Sequence, residues 1–127
     1  MTYFRLIRFS LPLLLAPFLS GGCDRTSSGP PAPLPIEQVP AALQKAFSNA
    51  KSENKDLASQ VVTTLQAQDF PKAFYQIQNL ASRPGLNKEQ QSVTSRAVLT
   101  LNTFLQSAQS KGDAQAAETL KTYRVNK

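Results

Sequence analysis

The 127 residues contain a single cysteine, Cys23, and no histidine. The side chains that most often serve as nucleophile, general base or soft metal ligand are therefore almost missing. A catalytic cysteine would want a histidine partner, and one cysteine cannot close an internal disulfide. Glu53 and Asp56 stand three residues apart in a helical pattern. Lys51 and Lys55 flank them, which reads as a solvated salt-bridged face rather than an acid–base pair. Asp69 and Asp113 each open a helical pattern and read as caps. Serines and threonines stand in no G-x-S-x-G or S-x-x-K setting. These residues predict no catalytic site, no metal and no cofactor. Three side chains are instead candidates for contact: Tyr75, off the apolar stripe of its helix, Tyr123, and the terminal Lys127. Exposed aromatics often mark contact surfaces.

The setting of Cys23 is more informative. Arg5 and Arg8 begin the chain with no acidic residue, and Phe9 to Leu19 follow without charge. Ser20, Gly21 and Gly22 then lead into Cys23. A basic start, a short apolar run and a small-residue exit make a secretory signal peptide over residues 1–22. The run is too short to span a membrane, which takes about 20 apolar residues. A buried core helix and a plain secreted chain with an incidental thiol are the alternatives.

The segment LSGGC at 19–23 resembles the lipobox of bacterial lipoproteins. The resemblance covers residues 1–23 and departs from the family in having Ser20, not leucine, three residues before the cysteine. It implies cleavage between Gly22 and Cys23, a diacylglycerol on the Cys23 sulfur and commonly an acylated amino terminus. Palmitate-type chains on Cys23 would then hold the mature protein to the membrane, since two or more acyl chains anchor stably where one does not. The implied location is the bacterial cell envelope, facing the periplasm or the exterior.

Cleavage would remove Arg5 and Arg8, leaving 12 basic against 8 acidic residues and lowering the net charge from +6 to +4. The remaining cations are scattered, with no dense basic patch among aromatics, so nucleic acid is not an expected partner. A small-molecule ligand is not expected either. Residues 24–40 hold five prolines. They predict a disordered, extended linker, about 14 residues of which at about 3.1 Å per residue reach on the order of 40 Å. Its expected role is a spacer, and a proline-motif ligand is the alternative.

From Ala41 onward the composition turns helical, and the two remaining glycines, Gly85 and Gly112, stand where helical patterns stop. The first pattern runs from Leu43 to Leu65, with Asn54 interrupting its stripe, and fades near Ala67. The second opens at Asp69 with Pro71 in its first turn and presents Ala73, Phe74, Ile77 and Leu80. The third opens at Asn87 with Gln90 completing a capping box, and carries Val93, Ala97, Leu101, Phe104, Leu105 and Ala108. The fourth follows Asp113 with Ala116, Ala117, Leu120 and Tyr123. The glutamines between the stripes, Gln76, Gln78 and Gln90 among them, read as exposed helix surface.

The prediction is an all-α domain over 41–127: a small four-helix bundle, or two helical hairpins in long-short-long-short order, after residues 23–40 as lipidated terminus and linker. A 43-residue shift lays Val62 and Leu65 onto Leu105 and Ala108, and Ala73, Ile77 and Leu80 onto Ala116, Leu120 and Tyr123. This resembles helical-hairpin arrays of the tetratricopeptide type, with a period longer than their 34 residues. The tail TYRVNK resembles that of the murein lipoprotein family, whose terminal lysine is bonded to the cell wall. Two functions are therefore expected. One is a lipid-anchored helical interaction module, an adaptor or accessory subunit for an envelope protein partner, with Tyr75 and Tyr123 as contact residues. The other is a structural tether between membrane and wall through Lys127.

Overall fold

The structure, a computed structural model, describes residues 30–127. The expected signal peptide, the expected Gly22–Cys23 cleavage point, the expected lipid site at Cys23 and residues 24–29 of the expected linker lie outside them. The described chain is all-helical. A 3-10 helix, Ile36–Gln38, leads into α1 (Val39–Ala46), α2 (Ser52–Gln66), α3 (Phe70–Ala81), α4 (Lys88–Ser110) and α5 (Ala114–Val125).

Local chemistry fixes the helix starts. The Asp69 side chain accepts from the Lys72 amide at 3.2 Å, and Pro71 occupies the first turn of α3 where its missing N–H costs nothing. Asp113 accepts from the Ala116 amide at 3.0 Å. Asn87 and Gln90 form the full reciprocal box at the start of α4, with distances of 2.8 and 3.1 Å.

The expected first helix is two helices. Residues 47–51 break it: the Ser48 hydroxyl donates to the Lys45 carbonyl at 2.9 Å, and Lys51 is extended at φ −55°, ψ 146°. Serine and asparagine side chains offer such local alternatives to helix bonding. The break lets α1 fold back on α2 while Phe47, 1% exposed, fills the core at the bend.

Connectivity then decides between bundle and stacked hairpins. Neighbours in sequence pack together, α3 lies along α4, and α1 packs on both α2 and α4. Stacked repeats would bring α2 and α4 into contact as equivalent helices, yet these two do not pack on one another. Helices α1 to α4 thus close a ring around one core, with α5 added against α4 and α3. The two hairpin turns do match. Asp69 donates to the Thr64 carbonyl and Asp113 to the Ala108 carbonyl, each at 3.1 Å. Their register is 44 residues, whereas the burial of Ala73 and Ile77 matches Ala116 and Leu120 at 43.

The core is aliphatic, with Leu43, Val61, Phe74, Ile77, Leu80 and Leu101 fully enclosed. Threonines join it: Thr94, Thr100 and Thr119 are buried, and Thr94 and Thr119 each donate to the carbonyl four residues earlier at 2.8 Å. That bond satisfies the hydroxyl and lets it sit among apolar groups.

From Pro30 the proline-rich segment is not a free spacer. Leu34 is buried, the Thr100 hydroxyl donates to the Leu34 carbonyl at 2.6 Å, and Arg96 Nε donates to the Ala32 carbonyl at 2.8 Å. Proline removes backbone donors but leaves the carbonyls free to accept. Two donors four residues apart on α4 therefore clasp residues 30–35 as a strap.

Candidate functional site

Where the strap meets the bundle, the surface opens into an apolar groove of about 560 Å³. Helix α3 and its C-cap supply Gln78, Ala81 and Ser82, and α4 supplies Ser95, Val98 and Leu99. Both sets follow helical i, i+3, i+4 spacing, so two ridges face each other across the cleft. Tyr123 of α5 and Pro30 and Pro31 of the strap complete it. The volume is that of a ligand-sized cleft, roughly 300–1,000 Å³. Its base is firm: the Tyr123 ring meets the buried Phe74 ring edge-on, with centroids 5.1 Å apart at 70°.

Among the described residues no carboxylate lines the groove. At its border Lys127 places Nζ 5.3 Å from the centre of the Tyr123 ring, a cation–π arrangement that draws the terminal lysine onto α5. Arg96 borders it beside Ser95, holding the strap. Leu99 is an exposed apolar side chain on the groove wall.

The two tyrosines expected as contacts both flank the Phe74 ring, with centroids 5.1 Å (Tyr123) and 6.4 Å (Tyr75) from it. Tyr123 is half-buried in the groove, whereas Tyr75 is 45% exposed on α3 and is not among the groove residues. The carboxylates are also apart from it. Glu53 is bound by Arg83, which also donates from Nε to Asn54 Oδ1 at 3.3 Å, so the partner comes from the α3–α4 loop and not from the flanking lysines. Among the described residues no group of three or more acidic or thiol side chains is placed to hold a metal.

Two groups of residues escaped the sequence reading. Val98 and Leu99 widen the apolar arc of α4 beyond its core stripe, and two adjacent apolar residues after Ala97 were the available signal. Gln90 is buried at 7% exposure, donating to the Ala46 carbonyl at 3.2 Å, so it bridges α4 to the end of α1 instead of facing solvent. Gln76 and Gln78 are half-buried, and Gln78 donates to the Phe74 carbonyl at 3.1 Å.

No family model, curated protein or solved structure matches the chain.

Proposed function

We propose that this is a lipid-anchored protein of the bacterial cell envelope, a helical module that engages an envelope protein partner and performs no catalysis. The observation that carries the reading is the cysteine setting. A basic start, an uncharged run and LSGGC place the only thiol of the chain where a lipoprotein is cleaved and acylated. A chain with no histidine favours recognition over chemistry. The compact bundle supports it further, because rigid helices with short connections present a fixed surface. Tyr75, exposed on α3, is the aromatic anchor assigned to the partner.

Metabolic labelling with an alkyne fatty acid tests the anchor. The wild-type protein is expected to incorporate the label and sediment with membranes. Cys23→Ser should lose the label altogether. Equal labelling of both proteins, or of neither, contradicts the reading.

A further inference from the structure

We propose that the face bearing the α3–α4–α5 groove lies against the lipid surface, so that the bundle is docked on the membrane rather than held away from it. The proposal rests on the lipid anchor at Cys23. Three observations carry it.

The first is length. Pro30 already forms part of the groove, seven residues after Cys23. Fully extended at 3.3–3.6 Å per residue, that stretch reaches at most about 25 Å. An anchor in the bilayer therefore keeps this edge of the bundle near the headgroups, and the Arg96 and Thr100 clasp prevents residues 30–35 from lengthening the tether.

The second is chemistry. Ala81, Val98, Leu99 and Tyr123 give the groove an apolar surface with one aromatic hydroxyl. Tyrosine suits the membrane interface, with an apolar ring and a polar tip. The third is charge. Among the described residues no acidic side chain lines the groove, while Lys127 and Arg96 border it. Each cation near an anionic surface adds attraction, and apolar contact adds to it. The occupant is thus an anionic phospholipid surface.

The test uses the full chain, purified from membranes and reconstituted in vesicles of mixed neutral and anionic phospholipid. Leu99→Cys and, separately, the exposed polar position Ser95→Cys carry a fluorophore. Ser59→Cys on α2, away from the groove, is the reference. An acylated Cys23 has no free thiol, so a lipidated chain takes one label and an unlipidated chain takes two. Acrylamide is expected to quench positions 99 and 95 severalfold less than position 59. Adding Lys127→Glu should restore access at 99 and 95. One label with equal quenching at all three positions overturns the docking while leaving the anchor intact. Two labels per chain overturn the anchor, and the docking with it.

Discussion

Gln68 and Gly112 occupy the same place in two turns, and both are left-handed, with φ of 60° and 93°. For a residue with a Cβ that conformation costs about 1–2 kcal/mol, while glycine brings an entropic cost of roughly 0.5–1 kcal/mol. Gln68→Gly is therefore expected to raise stability by up to about 1 kcal/mol. Gly112→Ala should lower it by about 1 kcal/mol, for conformational reasons alone, because an added Cβ meets no atom within 4 Å. Urea unfolding of both variants checks the pair, and a loss for Gln68→Gly would contradict this account of the turn. The glycine was legible in the sequence because its residue type announces the conformation. Gln68 was not, since nothing in a glutamine records the sign of φ. The same holds for Gln90. Its role in the capping box follows from spacing to Asn87, but its bond to Ala46 crosses 44 residues and has no local signature. Asn87→Ala is expected to cost about 1 kcal/mol as a lost cap. Gln90→Ala should cost about 1–3 kcal/mol, because it also strips the Ala46 carbonyl of its side-chain donor in a buried setting.

Among the elements, α3, α4 and α5 begin at the residues whose side chains cap them. These starts were readable because capping is local and depends on residue type at a fixed offset. The break between α1 and α2 was not, because the apolar stripe continues through Phe47 and Ala50 in helical register. Periodicity reports which face is buried, and a bend that keeps that face inward leaves it unchanged. The strap escaped for a related reason. Proline density suggested an extended linker through residue 40, but residues 36–40 are helical, and the donors that hold residues 30–35 lie more than 60 residues away on α4. Thr100→Val keeps the shape of the side chain and deletes its donor. It is expected to cost about 1 kcal/mol and, combined with Arg96→Ala, to release the strap. Amide hydrogen exchange at Leu34 reads that release: faster exchange in the double variant is expected, and an unchanged rate contradicts the clasp.

At the scale of the whole molecule, the all-helical class was legible from composition and period, and the closed ring was not. The choice between ring and stacked hairpins depends on α1, a helix of eight residues that the sequence had merged into its neighbour. Phe74 is the hub of the result, fully buried on α3 and in edge contact with Tyr123 on α5. Phe74→Ala is expected to cost about 3–5 kcal/mol by opening a cavity, and to loosen the groove along with the core. In the proposed reading, placement in the cell would depend on a different part of the chain from stability, since Cys23 and the residues that follow it would set the anchor. Intact mass of the protein extracted from membranes, beside Cys23→Ser, tests this most directly. The account predicts a chain that begins at Cys23 and carries added acyl mass, which the variant lacks. A soluble chain of unmodified mass that retains residues 1–22 would contradict it.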